Sequence, residues 1–255
     1  MDFDGPNKRQ ITKHKGTVVS PAWSPDGTKI LYSVYTHKNR IKNLDLFLYD
    51  FKTSSSKVLV NRKTHNTGGV WSPDGKTIAL SMDIQGRFKI YLLDPDSMKL
   101  SKLTDNNSTL SVEVEPSWSP DGKRLSYNTD LPGKPMVYLI NKDGTGNQRV
   151  TYAGSQNTAP SWSPTNSKIA FAGMIDRTFD IFIMNPDGTN IERLTKKQGM
   201  NEDPSFAPDG NFIAYSSDRA GQKNIYITNI NATTDRRISF NMGNCSEPAW
   251  SPALQ

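Results

Sequence analysis

The sequence predicts an all-β protein: a six-bladed β-propeller with five complete four-stranded blades and an incomplete sixth blade shared by the two chain ends. Three observations support this fold: an aromatic motif repeated at blade-like intervals, four short strand-like segments in each repeat, and no helical periodicity. The 255 residues are 35% hydrophobic and 22% charged, which suits a soluble, core-forming chain. We therefore take residues 1–255 as a single β-propeller domain.

A motif of the form Pro-x-Trp-Ser-Pro-Asp-Gly recurs along the chain with small variations. Its aromatic residue, which we call the anchor, occurs six times, at Trp23, Trp71, Trp118, Trp162, Phe206 and Trp250. Successive anchors lie 48, 47, 44, 44 and 44 residues apart, a period typical of a four-stranded propeller blade. The Ser-Pro-Asp-Gly segment predicts a tight turn, because proline presets φ and glycine accepts a positive φ.

Each repeat divides into four predicted strands, A to D. Strand A ends at the anchor, and strand B follows the turn, as in residues 29–32. Strand C is an apolar run closed by Asp or Asn, as in residues 180–185, and strand D is short and ends in a pair such as Leu194-Thr195. The anchor and the closing Asp or Asn are 23 residues apart in four repeats and 27 in the first.

The two chain ends fall inside one repeat. Residues 8–12 match strand D and residues 244–252 match strand A, so the sequence predicts that they share the sixth blade without its two middle strands. This pattern is that of a longer propeller protein cut at its N-terminus. We expect low stability at both ends, because the unpaired strand edges would be exposed.

The net charge of +6 is uneven along the chain, since residues 1–63 carry a balance of +7. This basic sector is either a solvated surface or a docking surface for an acidic partner or nucleic acid. Basic and aromatic side chains do not alternate along one face, which argues against nucleic acid. No apolar run approaches the ~18 residues of a membrane span. The first residues show no secretory signal, although a mature or truncated export product would look the same.

Residue patterns typical of catalysis are sparse. There is no Gly-x-Ser-x-Gly motif, and none of the three histidines (His14, His37 and His65) has a second histidine at metal-ligand spacing. We expect the turn aspartates to cap their own turns and the Trp anchors to be core residues. The single cysteine, Cys245, fits a buried small hydrophobic residue better than a free thiol. A metal-dependent hydrolase or lyase propeller remains the enzymatic alternative.

The position three residues before each anchor is predicted to lie at the rim of the central channel. These six positions form what we call the rim ring: Ser20, Gly68, Glu115, Ala159, Asp203 and Glu247. Its three carboxylates come from separate repeats. They would hold a Ca²⁺ ion, receive a Lys or Arg of a partner, or form a solvated acidic funnel, and the sequence leaves these interpretations open. No metal site and no cofactor is assigned.

The repeat resembles that of the TolB family, the propeller proteins of the bacterial Tol-Pal system. The resemblance covers essentially the whole chain. Its most telling parts are the opening Asp-Phe-Asp-Gly-Pro-Asn-Lys-Arg-Gln and the ending Glu-Pro-Ala-Trp-Ser-Pro at residues 247–252. The resemblance implies a six-bladed propeller of TolB type. It also implies a preceding α/β domain and a signal peptide, neither of which is in this sequence.

The resemblance further implies a non-catalytic periplasmic scaffold that binds Pal, the peptidoglycan-associated lipoprotein, and supports outer-membrane integrity and cell division. Other Tol proteins or colicin-like peptides are further partners it suggests, whereas nucleic acid binding and membrane insertion are not expected. A TolB-like propeller that docks another envelope protein is the runner-up. The Pal-contact positions of the family fall on His65, Gly68 and Val114, to which residue reasoning adds Glu115, Asp203 and Glu247.

Two departures from the family pattern lie beside these positions. Gly68-Gly69-Val70 replaces an Ala-Pro-Ala-like segment, and three extra residues precede Trp118 close to Val114.

Overall fold

The computed structural model describes residues 7–38, 41–61, 65–84, 86–105, 111–165, 168–196 and 198–252, without the side chains of residues 37–42. In these ranges the chain forms five antiparallel sheets of four strands, each with its strands in sequence order. Blade 1 contains β1 (Val18–Trp23), β2 (Lys29–Lys38), β3 (Ile41–Asp50) and β4 (Ser55–Val60). Blade 2 contains β5 (Asn66–Trp71), β6 (Ile78–Ile84), β7 (Arg87–Leu93) and β8 (Leu100–Lys102).

The other three blades repeat this order. Blade 3 contains β9 (Glu113–Trp118), β10 (Arg124–Thr129), β11 (Met136–Asn141) and β12 (Gln148–Arg149). Blade 4 contains β13 (Asn157–Trp162), β14 (Ile169–Ile175), β15 (Thr178–Met184) and β16 (Glu192–Arg193). Blade 5 contains β17 (Asn201–Phe206), β18 (Phe212–Ser217), β19 (Asn224–Asn229) and β20 (Asp235–Arg237). Every strand A ends at its anchor, so the predicted A-to-D order is confirmed in all five blades.

The turn between strands A and B is held by its own side chains. Ser24 Oγ donates to Asp26 Oδ1 at 2.5 Å, and the Thr28 backbone N–H donates to the same carboxylate at 3.1 Å. These hydrogen bonds favour the ionised carboxylate and lower the pKa of Asp26 to about 2. The same serine–aspartate contact recurs in the turns of blades 2 and 3. The turn aspartates therefore cap their turns, as expected.

The hydroxyl residue that follows strand D extends the pairing of that short strand. The Ile90 backbone N–H in strand C donates to Thr104 Oγ1 at 3.0 Å. The equivalent bond is 2.9 Å long in blades 3, 4 and 5, where the acceptors are Thr151, Thr195 and Ser239. A side chain thus satisfies a buried strand C donor after the D strand has ended.

The hydrophobic core lies between the faces of neighbouring blades. Trp118 packs in a cluster with Ala79 of blade 2 and Leu125 of blade 3, and its indole N–H donates to the carbonyl of Val70 in the preceding blade at 3.3 Å. Phe206 occupies the same position between blades 4 and 5. The repeated anchor therefore joins each of blades 2 to 5 to the blade before it.

The prediction of a sixth, shared blade is wrong: the described residues form five blades, and neither 8–12 nor 244–252 is a strand. To form strands, the two segments would have to pair with the middle strands of the sixth blade. The described residues include no such strand beside either segment. Residues 244–252 instead lie against blade 5, where the Cys245 backbone N–H donates to the Lys223 carbonyl at 2.8 Å. Cys245 is half-buried there, packed against the cluster of Ile225 and Ile238.

The N-terminal segment packs on blade 1. Ile11 contacts the cluster of Tyr32, Val34 and Tyr49, and His14 Nε2 is 2.9 Å from the Tyr32 hydroxyl. Lys8 Nζ donates to the Phe240 carbonyl, so side-chain contacts rather than a sheet connect the two ends. Within the described residues no helix is long and apolar enough to cross a membrane.

Candidate binding funnel in the central channel

One mouth of the channel is shaped by an irregularity that every strand A repeats. In blade 1 the register between β1 and β2 shifts between Val19 and Ala22, and the other four strand A pairings shift at the equivalent place. In the five blades the rim-ring residue lies in this bulge with a positive φ: Ser20 53°, Gly68 66°, Glu115 59°, Ala159 49° and Asp203 56°. Glu247 is not in a strand but has the same conformation, with a φ of 51°. A positive φ is strained for residues other than glycine, so the surrounding packing holds the five non-glycine members of the rim ring in it.

The rim ring lines a cavity of about 480 Å³, which we call the funnel. The rest of its lining includes an apolar wall, supplied by blades 1 to 3 and the segment before β9: Val19, Tyr35, Val70, Phe88, Val112 and Val114. Tyr35 is the most open of the aromatic members at 38% exposed. The other side of the funnel carries Asp203 and Glu247. The cavity therefore has an apolar side and an acidic side.

Each rim carboxylate holds the backbone of the next ring member. Glu115 Oε2 accepts the Ala159 backbone N–H at 2.6 Å and also the side-chain amide of Asn128. Asp203 Oδ2 accepts the Glu247 backbone N–H at 3.4 Å, and Glu247 Oε2 accepts the backbone N–H of Ser20. The last contact joins the C-terminal segment to blade 1.

These bonds leave part of each acidic group open. Among the described residues, no donor reaches Glu115 Oε1 or Asp203 Oδ1. Lys223 is a cation near the acidic side, and its Nζ is paired with Glu202 Oε2 at 2.8 Å. The funnel therefore keeps an excess of negative charge.

The pKa values of two rim carboxyl groups respond to this setting. Burial in the channel, with repulsion from Asp203 and Glu247, raises the pKa of Glu115 to about 7 against the pull of the Ala159 N–H. Solvent reaches Glu115 through the mouth, yet protein surrounds the group on its other sides. Burial likewise raises the pKa of Glu247. Ionised carboxylates that share a confined space repel one another, so the neutral form is favoured and the pKa rises.

The arrangement gives no support to the Ca²⁺ interpretation. In the described part of the chain, no three His, Cys, Asp or Glu side chains lie close enough to hold a metal ion. The rim carboxylates are instead positioned by hydrogen bonds to the neighbouring strands.

Blade 2 interrupts the ring with Gly68-Gly69, where the other five positions have a residue followed by proline. A Cβ at Gly69 would lie 2.9 Å from Leu46 Cδ1, so a larger residue there would displace the end of the Leu46 side chain of blade 1. A Cβ at Gly68 would meet no atom closer than 3.8 Å. Gly68 therefore leaves a notch in the rim.

His65 lies beside the funnel rather than in its lining. Its side chain is 42% exposed, with Nδ1 3.7 Å from Asp83 Oδ2 and its ring centroid 6.3 Å from that of Phe88. Phe88 in turn lines the funnel. The structure thus brings five of the six predicted site residues into one lining and sets His65 behind Phe88.

The opposite mouth of the channel has a different lining. A cavity of about 450 Å³ is lined by all five tryptophans and the prolines around them, and we call it the aromatic mouth. Trp118 and Trp162 are buried as expected, whereas Trp23, Trp71 and Trp250 are half-buried. Trp71 and Trp250 still pack against core clusters, so these half-buried anchors contribute both to the core and to the lining of the mouth.

The basic sector is only partly described. Lys13 and Lys15 are exposed, and the guanidinium of Arg9 lies 5.9 Å from the centre of the Phe51 ring. Arg40, Arg62 and Lys63 lie outside the described residues, as do residues 2–6 of the opening motif.

The family described as the TolB beta propeller domain matches residues 1–254. The chain belongs to the TolB β-propeller family. A "Tol-Pal system protein TolB" from Anaeromyxobacter sp. (strain K) is 34% identical over 117 residues, which are 46% of this chain and 25% of that protein. A "Protein TolB homolog" from Chlorobaculum tepidum is 32% identical over 103 residues, 40% of this chain and 23% of that protein. The aligned parts thus span about a quarter of these TolB relatives.

Solved structures agree with the family. TolB from Acinetobacter baumannii superposes with a TM-score of 0.86 at 25% identity, covering 98% of this chain and 61% of that protein. A putative TolB from Agrobacterium tumefaciens gives 0.83 at 22% identity, covering 96% and 89%. Oligogalacturonate lyase in complex with manganese gives 0.61 at 18% identity, covering 86% and 64%. The last two similarities show the fold alone.

Sequence reasoning missed the aromatic part of the funnel lining. Tyr35 and Phe88 reach it from the hairpins between strands B and C, far from the anchor motif. The signal that the sequence carried is that both are large aromatic residues close to the short loop between strands B and C. The repeat did not place them, because the hairpin length differs between blades 1 and 2.

Proposed function

We propose that this propeller is a non-catalytic scaffold of the Tol-Pal system, which binds the lipoprotein Pal through the funnel. The names of the relatives point to that system. The observation that carries the proposal is that Gly68 and Val114 line one cavity although they come from different blades. On this proposal the protein acts in the periplasm and supports outer-membrane integrity and cell division.

The funnel suits recognition of another protein. Its apolar wall includes Tyr35 and Phe88. Aromatic residues are enriched in protein–protein interfaces, where they often contribute much of the binding energy. The rim is preorganised, because backbone N–H groups of Ala159 and Glu247 are tied to carboxylates of the preceding ring member. A rim that is already fixed loses little conformational freedom when a partner binds.

The contacts of the rim also favour binding over catalysis. A carboxyl group with a pKa of about 7, such as Glu115, has the acidity that general acid–base catalysis uses. Glu115 Oε2 is, however, occupied by Ala159 and Asn128, which fixes the group as part of the frame. The similarity to oligogalacturonate lyase adds no site residue in favour of a lyase, since it shows the fold alone.

Titration calorimetry with the soluble part of Pal from the same organism tests the proposal. Val114→Lys should weaken binding by about tenfold or more, because it places a charged, flexible side chain in the apolar wall. His65→Ala should weaken it by less, since His65 acts through Phe88. Val58→Lys is the matched control, because Val58 is 44% exposed on β4 and is not part of the funnel lining.

Folded variants are confirmed by circular dichroism before titration. Binding of Pal that is equally strong in the wild type, Val114→Lys and Val58→Lys would show that Pal binds elsewhere. An absence of Pal binding by the wild type would remove the proposal itself.

A further inference from the structure

We propose that the segment docking in the funnel inserts a Lys or Arg side chain toward Glu115, Asp203 and Glu247, while apolar residues beside it pack on the apolar wall. This inference rests on the proposed function, because it names what the partner must present. It concerns the chemistry of the occupant rather than the identity of the partner.

The first support is the two-sided lining of the funnel. Val19, Tyr35 and Phe88 belong to the apolar side, whereas Asp203 and Glu247 belong to the acidic side. Lysine and arginine combine an apolar stem with a charged end, so one such side chain satisfies both sides. A wholly apolar segment would desolvate the carboxylates without pairing them, and an acidic segment would be repelled.

The second support is the state of the rim carboxylates. Each is aimed by a hydrogen bond to the next ring member, yet Glu115 Oε1 and Asp203 Oδ1 receive no donor from the described residues. The nearby cation Lys223 is already paired with Glu202. Repulsion among the rim carboxyl groups contributes to the raised pKa of Glu115 and Glu247. An incoming cation would relieve that repulsion without requiring the rim to move.

The third support is the notch at Gly68. Gly68 and Asp203 are three positions apart in the six-membered ring and therefore face each other across it. A Cβ at Gly68 would fit without a clash, in ordinary contact with Pro116 Cδ at 3.8 Å, so the missing side chain leaves room there. The notch thus offers space to a docking segment opposite the carboxylate that its cation would meet.

The test uses three peptides as probes: acetyl-Leu-Lys-Leu-amide and the matching peptides with Gln or Glu at the centre. They are titrated into the uniformly ¹⁵N-labelled protein and followed by the amide signals of Thr67, Gly68, Val114 and Ala159, all in the funnel lining. The Lys peptide should bind at least about fivefold more tightly than the Gln peptide, and the Glu peptide should bind least. Equal binding of the Lys and Gln peptides would overturn the inference without any variant.

Two variants then locate the charge. Glu247→Gln and Asp203→Asn keep an oxygen that accepts the backbone N–H of the next ring member, so the frame is retained. Each should reduce the preference for the Lys peptide by about threefold or more and reduce its salt dependence. Glu192→Gln is the matched control, because Glu192 is exposed on β16 and is not part of the funnel lining.

The same variants separate this inference from the proposed function. Pal binding that is unchanged in Glu247→Gln and Asp203→Asn, and insensitive to salt, would overturn the inference and leave the scaffold role standing. A Lys preference that the two variants abolish, in a protein that does not bind Pal, would uphold the inference and remove Pal as the partner. A Lys preference that survives both variants would overturn the inference.

Discussion

The two mouths of the channel differ, although strand A of each blade contributes to both. The anchor end of the strand builds the aromatic mouth with proline in most blades and with tryptophan in blades 1 to 4. The other end builds the funnel, where the rim position changes from Ser20 to Gly68, Glu115 and Ala159 around the ring. Both cavities are of similar size, about 450 and 480 Å³.

The physical reason lies in what each end contacts. A buried anchor packs between two blades and is constrained by neighbours on both sides, as Trp118 and Phe206 show. The rim position requires only a backbone with a positive φ, and its side chain enters an open cavity. A repeated architecture thus fixes one mouth by packing and leaves the other free to acquire chemistry.

The largest effect is expected in the hydrogen exchange of the C-terminal segment, which lines both mouths but is not paired in a sheet. Glu247 and Trp250 belong to this segment, and their amides should exchange quickly with solvent. We expect amides in 246–250 and 8–12 to exchange at least about 1,000-fold faster than those in 180–184 and 225–228, because exchange in central strands requires a larger unfolding. Hydrogen exchange followed by mass spectrometry or NMR measures this directly. Equal protection would mean that the ends are paired and that the five-blade description needs revision.

The next effect compares the two ends of β9. Trp118→Ala should lower the free energy of unfolding by about 3–5 kcal/mol, since it removes a buried ring and the hydrogen bond to the Val70 carbonyl. Val114→Ala, four residues earlier in the same strand, should cost only about 1 kcal/mol, because Val114 is half-buried at the funnel. Urea unfolding of both variants measures the two losses in unfolding free energy, which can then be compared. Similar losses would show that packing fixes both mouths equally.

Much of this division could be predicted from the sequence. The recurring spacing between the anchor and the end of strand C predicted the five complete blades, and the Ser-Pro-Asp-Gly chemistry predicted the contact between Ser24 and Asp26. The rim ring followed from the same register. These features depend on local residue patterns, which a repeat displays several times over.

The features that were missed depend on partners or on backbone strain. Matching a segment to strand A, as for 244–252, says nothing about whether a neighbouring strand is there to pair with it. The positive φ of Ser20 and Ala159 has no signal in those residue types, which seldom adopt it. Tyr35 and Phe88 reach the funnel on hairpins whose lengths differ between repeats.

The smallest effect expected concerns the pH dependence of stability. Two carboxyl groups, one at each mouth, should change the stability with pH in opposite directions. Burial raises the folded-state pKa of Glu115 to about 7 from 4.5, with Asp203, Glu247 and Glu202 adding repulsion. The folded protein therefore holds this proton more tightly than the unfolded chain does. The stabilising contribution of protonated Glu115 is fully present below about pH 4.5 and is lost as the pH rises through about 7. Glu115→Gln, which cannot ionise, should remove that loss.

Asp26, in the turn beside the aromatic mouth, should behave in the opposite way. Hydrogen bonds from Ser24 and Thr28, helped by the charge of Lys29, lower its pKa from 3.8 to about 2. Its contribution is therefore present above pH 3.8 and is lost as the pH falls toward 2. Unfolding midpoints of the wild type, Glu115→Gln and Asp26→Asn, measured from pH 2 to 8, should show the Glu115 difference growing with pH and the Asp26 difference shrinking in acid. A Glu115→Gln variant whose stability runs parallel to the wild type between pH 4.5 and 7 would show that the funnel leaves this carboxyl group as well solvated as the turn leaves Asp26.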